Sequence, residues 1–236
     1  MNFNKVKLHI STSRIDRYLV AANQNNRKAE RLYKANLKIA QSFYPLLNTL
    51  EVVLRNGINT TLEKYFADPD WIINQQTGFM IHPSLRHLDK RTGKIITNEY
   101  LKKEVAKAEK KIKNSGRTVT SGKIIAEQTL GFWTEFFEVY HYKILKGRPI
   151  QLFRNLPSGY GRKEISDALY DIRVFRNRVY HNEPIIFKGK LFDLSECEHI
   201  HANILNIIDW IDPNLKIWIK DIDGVHVKIK NAKRIK

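Results

Sequence analysis

The sequence predicts an all-α fold, a helical bundle interrupted by a basic insertion. Apolar residues recur at intervals of three and four along most of the chain, and strand-like alternation is scarce. Breakers are few, with 11 Gly and 7 Pro in 236 residues, and they cluster between the periodic stretches. At 42% hydrophobic residues the chain can bury a core, and its length suits a single domain over 1–236.

The elements follow in order. Ser13 with Asp16 resembles a helix-start box, and a short helix is expected over 14–22. Asn23-Gln-Asn-Asn26 is a polar break. A long helix is then expected over 27–66, with Phe43, Leu47, Leu50, Leu54, Ile58, Leu62 and Tyr65 on its apolar face. Pro45 should kink it or mark a fresh start, and Asp68-Pro-Asp-Trp71 ends it. Residues 72–123 form the basic insertion. From Arg86 to Lys123 there are 12 Lys+Arg against 4 Asp+Glu, a net of +8, with an exposed helix expected over 99–112. The stretch reads as a solvated excursion or as an electrostatic arm for phosphate backbones.

Residues 124–145 are expected to be one helix, with Ile125, Thr129, Phe132, Trp133, Phe136, Tyr140 and Ile144 on a broad apolar face. A Gly- and Pro-containing loop leads to a helix over 162–181. Glu183-Pro184 stops that helix, because the residue before proline is pushed out of the helical region. Ser195 with Glu198 opens a helix to Ile211, and Asp212-Pro213 starts a last short element. Residues 212–236 form a basic C-terminal tail, whose end from Lys228 holds five cations and no acid and is expected to fray.

Charge narrows the partners. The 41 Lys+Arg against 24 Asp+Glu give +17, which favours an anionic partner, nucleic acid or an anionic membrane surface. The single cysteine, Cys197, excludes an intrachain disulfide and a cysteine zinc site, and fits a reducing compartment. No stretch reaches the ~18 apolar residues of a membrane span, and the N-terminus lacks the apolar run of a signal peptide. The expectation is a cytoplasmic protein that does not enter the membrane.

The chemistry concentrates in Asp171-Ile-Arg-Val-Phe-Arg-Asn-Arg-Val-Tyr-His-Asn-Glu-Pro184. On a helix Ile165, Leu169, Ile172 and Val179 share one stripe, and Arg176 lies in its middle. An arginine there needs a partner, a buried carboxylate or a ligand phosphate, because its charge cannot be removed by deprotonation. Asn177 and His181 lie side by side on the flank, with Arg173 one turn before them, while Arg178 points the other way.

Cleaving RNA without a metal needs a base for the 2′-OH, an acid for the 5′-oxygen and a cation for the phosphorane. Arg176, Asn177 and His181 are suitable residue types: a planar fork for phosphate, an amide to hold register and an imidazole titrating near neutrality. On an ideal helix Arg176 and His181 are ~140° apart, too far to share a phosphate comfortably. Loosening of the helix at His181 relieves this. So does pairing of two chains about a two-fold axis, which also supplies a second histidine. Two other readings of the trio stand. One is structural, with His181 at a helix C-terminus and Arg176 in a salt bridge. The other is a non-catalytic nucleic-acid-binding module that only grips phosphate.

At these residues the sequence resembles the Abi-like (abortive infection) proteins of the HEPN superfamily. Arg176-Asn-Arg-Val-Tyr-His181, continued by Asn-Glu-Pro-Ile185, looks like that family's RNxxxH motif and its continuation. Ser11-Thr-Ser-Arg14 with Tyr18, Ala29-Glu-Arg-Leu-Tyr33, Leu50-Glu-Val-Val-Leu-Arg-Asn-Gly-Ile58 and Gly131-Phe-Trp133 look like family blocks in family order. The likeness covers 10–71 and 124–187, not the insertion or the tail. It implies a HEPN-like helical bundle, a homodimer with the motif at its interface, and a metal-independent endoribonuclease leaving 2′,3′-cyclic phosphate and 5′-hydroxyl ends. It also implies a toxin-like role in antiviral defence, restrained by an RNA or protein antitoxin. Carried over, Arg176 binds and stabilises the phosphate, Asn177 positions it and His181 transfers the proton, with no cofactor and no metal.

Further candidates surround this centre. Arg173, Arg178 and Arg55 are candidate RNA-binding cations, and Tyr180 is the aromatic placed to stack a base. Glu51, four residues before Arg55, is expected to pair with it or to orient Arg176. Glu138 with His141 and Glu198 with His201 have metal-ligand spacing, but the first pair projects outward from a continuous helix. Cys197, His199 and His201 lack a fourth zinc ligand nearby. Trp71, Trp133, Trp210 and Trp218 are expected in the core or at an interface.

Overall fold

The computed structural model describes residues 3–89 and 91–235. Met1 and Asn2 of the N-terminal stretch, Lys90 of the basic run and Lys236 of the tail lie outside the described residues. The protein is predominantly helical. In chain order the helices begin with α1 (Phe3–Ile10), α2 (Thr12–Ala21), α3 (Asn26–Phe66) and α4 (Trp71–Asn74). Then come the ribbon β1 (Arg86–Leu88) and β2 (Ile95–Thr97), α5 (Tyr100–Asn114), α6 (Ser121–Glu127), α7 (Leu130–Thr134), α8 (Val139–Ile144) and α9 (Arg162–Tyr180). A second ribbon, β3 (Phe187–Lys188) and β4 (Leu191–Phe192), precedes α10 (Ser195–Ile211), α11 (Pro213–Trp218) and α12 (Val225–Ala232). Both ribbons are antiparallel pairs. No helix of the described residues is long and apolar enough to cross a membrane.

The chain forms two compact units. The first comprises Met1–Thr49, Asp171–Asp209 and Pro213–Lys236; the second comprises Leu50–Tyr170 and Trp210–Asp212. In the first unit Phe43 and Phe175 meet edge to face at 4.7 Å, and Tyr18 packs against both Tyr33 and Phe187 at 5.2 Å. The α10 isoleucines at 200, 204, 207 and 208 are buried at helical spacing. In the second unit Phe136 lies 5.5 to 6.2 Å from Phe132, Trp71, Trp133 and Phe79. The Trp71 indole N–H donates to Asn59 Oδ1 at 2.8 Å, which satisfies the one polar atom of a fully buried ring.

Several expectations are corrected here. The first predicted helix starts at Thr12. Ser11, not Ser13, is its N-cap, at φ 83° and with no side-chain cap bond, so the expected box does not form. Pro45 begins no new helix: α3 runs through it for 41 residues. The helix expected over 99–112 is not simply exposed, since Leu101, Val105, Ala108 and Ile112 of α5 are buried. The stretch 124–145 is broken into α6, α7, a 3-10 turn at Glu135–Phe137 and α8. Gln128 and Glu138, with ψ near 140°, are extended residues that end the α6 and 3-10 pieces. The tail remains helical past Lys228 as far as Ala232, because Val225, Ile229 and Ala232 of α12 are buried. Of the two places expected for it, a core or an interface, Trp218 is not in a core, being 65% exposed.

The ring cluster of the second unit should dominate its stability. Phe136→Ala is expected to cost ~3–5 kcal/mol in urea unfolding, whereas Leu88→Ala, on the exposed face of β1, should change stability by less than ~0.5 kcal/mol.

Candidate active site

The three motif residues sit on the last turns of α9 and at its end, in the first unit. Ile172, Phe175 and Val179 bury the inner face of this segment, and Ile165 and Leu169 continue the stripe earlier in the helix. Arg176 is half-buried, as its place in the stripe requires, and its Cζ lies 4.1 Å from the centroid of the Tyr180 ring. Asn177 and His181 are exposed, and the His181 backbone N–H donates to the Asn177 carbonyl at 2.9 Å.

The helix ends through local chemistry. Asn182 adopts the left-handed conformation at φ 54°. Its N–H donates to the Val179 carbonyl at 3.1 Å, and that of Glu183 donates back to Arg178 at 2.8 Å. This is a Schellman closure with asparagine where glycine is commonest, and it makes His181 the capping residue. Arg14 Nη1 donates to the Asn182 carbonyl at 3.1 Å, and the Ile185 N–H donates to Oδ1 of buried Asn36 at 2.8 Å. The helix therefore stops at Tyr180, and the exposed His181 side chain stands just beyond the last regular turn.

The flanking candidates divide. Arg178 is committed to bracing: Nη1 bonds to Glu196, Nη2 donates to the Pro184 carbonyl at 2.7 Å, and Glu183 lies 3.8 Å from Nε. Arg173 is half-buried. The Tyr180 ring is 39% exposed, but it stacks on Tyr44 at 5.5 Å as well as meeting Arg176, so a base would compete with an existing partner. Glu51 and Arg55 belong to the second unit. Arg55 Nε donates to Asn56 Oδ1 at 3.5 Å.

Three contributors escaped the sequence reading. Tyr44 lies off the apolar stripe of α3, which left its stacking role without a sequence signal. Asn36 carried one, since a polar residue among Leu32, Ala35 and Ile39 on a helix must find a partner. Arg14 was visible only as part of a motif block.

The metal-like spacings resolve into separate contacts. Glu198 pairs with Lys233 at 2.6 Å, while His201 Nε2 meets Asp223 at 2.7 Å. His141 is fully buried, not turned outward, because α8 begins only at Val139 and no continuous helix sets its direction. Its Nδ1 lies 3.3 Å from Glu135 Oε1. Among the described residues no cluster of three or more His, Cys, Asp or Glu side chains is arranged to hold a metal ion. Cys197 is buried and donates to the Ile185 carbonyl at 3.3 Å, and burial pushes its thiol up to about 12. Compared with protein-family models, curated proteins and solved structures, the chain matches none of them.

Two outcomes test this terminus. Asn182→Val should destabilise the protein by ~1–2 kcal/mol, because a β-branched side chain fits the left-handed region poorly, while Asn182→Gly should be neutral or slightly stabilising; denaturant midpoints decide. Cys197 should resist iodoacetamide in the native protein and react once urea unfolds it, since the thiolate is the nucleophile.

Proposed function

We propose that the chain is a metal-independent endoribonuclease of the Abi-like HEPN kind, acting as a toxin-like effector of phage defence. The observation that carries this reading is the presence, near one helix terminus, of both a guanidinium held half-buried in an apolar stripe and an imidazole exposed just past the last turn. The charge of +17 supports it by favouring a polyanionic substrate.

In this mechanism Arg176 binds the non-bridging oxygens of the scissile phosphate and stabilises the phosphorane. Asn177 holds the phosphate in register. One imidazole takes the 2′-OH proton as the O2′–P bond forms; the P–O5′ bond breaks, and an imidazolium protonates the departing 5′-oxygen. The products are a 2′,3′-cyclic phosphate and a 5′-hydroxyl. A homodimer with the motif at its interface supplies both imidazoles, one His181 from each chain. The exposed Tyr44 and Tyr180 rings of the first unit give such an interface apolar surface. An antitoxin, RNA or protein, restrains the activity until infection.

The test is cleavage of structured and single-stranded RNA in excess EDTA. The wild-type protein should cut. His181→Ala and Arg176→Ala should each lose at least ~100-fold, the lower range for a missing proton-transfer or oxyanion group, with circular dichroism unchanged. RNA binding without cleavage, or cleavage abolished by the chelator, overturns the proposal. Expressed alone in bacteria, the wild type should slow growth and Arg176→Ala should not; equal colony counts would speak against a toxin.

A further inference from the structure

A second group of cations in the first unit uses no residue of α9. Arg31, Lys34, Ala35 and Lys38 share one face of α3 at the i, i+3, i+4, i+7 spacing. Lys228, Asn231 and Ala232 do the same on α12, and Ile235 follows just past its end. Together these residues line a cleft of about 260 Å³. Ala35 and Ala232 are buried, and their methyl groups leave a hollow that longer side chains would fill. The four cations are exposed around it.

The charge in this cleft is largely uncompensated. Lys34 meets Glu30 at 2.6 Å, but among the described residues Arg31, Lys38 and Lys228 form no ion pair. Like charges three and four apart on one helix repel, and here a further lysine from α12 lines the same space. On α5 the pattern differs, because Lys103, Lys107, Lys111 and Lys113 each have a glutamate within 4.0 Å. A concentration of one sign of charge around a concave, partly apolar floor suits a compact polyanion that carries an apolar group.

We propose that this cleft binds an oligophosphate, the di- or triphosphate of a nucleotide. Arg31 provides a planar fork for two phosphate oxygens, and the three lysines supply point charges along the chain. Ala35, Ala232 and Ile235 give the nucleoside a surface to lie against. The volume is below that of sites enclosing a whole drug-sized ligand, so the phosphates occupy the cleft and the nucleoside lies at its open side. The same chemistry is carried by a free nucleoside triphosphate and by the 5′-triphosphate end of an RNA.

Calorimetric titration at about 150 mM salt decides, with four probes: inorganic tripolyphosphate, ATP, a 5′-triphosphorylated RNA, and the same RNA with a 5′-hydroxyl. Both RNAs are 2′-O-methylated so that they cannot be cut. Tripolyphosphate and ATP should bind the wild-type chain. Lys38→Gln/Lys228→Gln should weaken them about tenfold or more, as loss of charge-assisted bonds requires. Lys110→Gln/Lys143→Gln, which removes the same charge from exposed positions elsewhere, should not. Preference for the triphosphorylated RNA over its 5′-hydroxyl form assigns the site to an RNA end; ATP binding without that preference assigns it to a free nucleotide. No binding by any probe, or equal weakening by both double variants, overturns the proposal. Binding is read with His181 intact and without turnover, so this result is independent of the cleavage assay.

Discussion

The geometry of the motif depends on how α9 ends. Its last turn carries Arg176, Asn177 and Tyr180, and the chain must then leave the helix before Pro184. Asn182 in the left-handed region and the Glu183 N–H bond back to Arg178 make that exit. Arg14 and Asn36 then fix the chain on either side of Glu183-Pro184 by bonds to its backbone. A longer helix would bury the His181 backbone within a further turn instead of ending at it. A frayed one would leave its backbone without the Asn177 bond. The imidazole is presented by a closed terminus rather than by a flexible loop, which is what a proton-transfer group needs if it is to meet a phosphate reproducibly.

Electrostatics act on two scales. The whole chain is strongly basic, yet many cations are locally neutralised. Arg178 is taken up by Glu196 and the Pro184 carbonyl, and Lys111 and Arg117 share Glu127. The net charge therefore overstates how many cations are available to a partner. Arg176 is distinguished by position: its guanidinium is half-buried over an aromatic ring, in a setting where an aliphatic side chain would be the ordinary choice. The cleft between α3 and α12 is distinguished by three cations that form no ion pair among the described residues.

Legibility in the sequence followed helix continuity. Where one helix persists, the projection held: Ile165, Leu169, Ile172 and Val179 are buried, and the stop before Pro184 lies where the proline demands. Where several short elements are joined, it failed. The stretch 124–145 has an apolar pattern that satisfies a single helix, but extended residues at Gln128 and Glu138 reset the direction of each piece. That error turned His141 outward on paper, although it is fully buried. The ribbon β1–β2 is three residues per strand, too short for alternation to register. The tail was misjudged because its charge masked Val225, Ile229 and Ala232, which give α12 a buried face. Within the candidate site, the partial burial of Arg176 and the exposure of Asn177 and His181 on the flank were legible from spacing. The prior commitments of Tyr180 and Arg178 were not, because both depend on partners distant in sequence.

The central claim is that Arg176 and His181 act on a phosphodiester by in-line attack of the neighbouring 2′-oxygen. Mass spectrometry of the products from a defined RNA oligonucleotide tests it most directly. The account predicts fragments ending in a 2′,3′-cyclic phosphate, followed by fragments that begin with a 5′-hydroxyl. Fragments bearing a 3′-hydroxyl and a 5′-phosphate would require an attacking water in place of the 2′-oxygen and would contradict it.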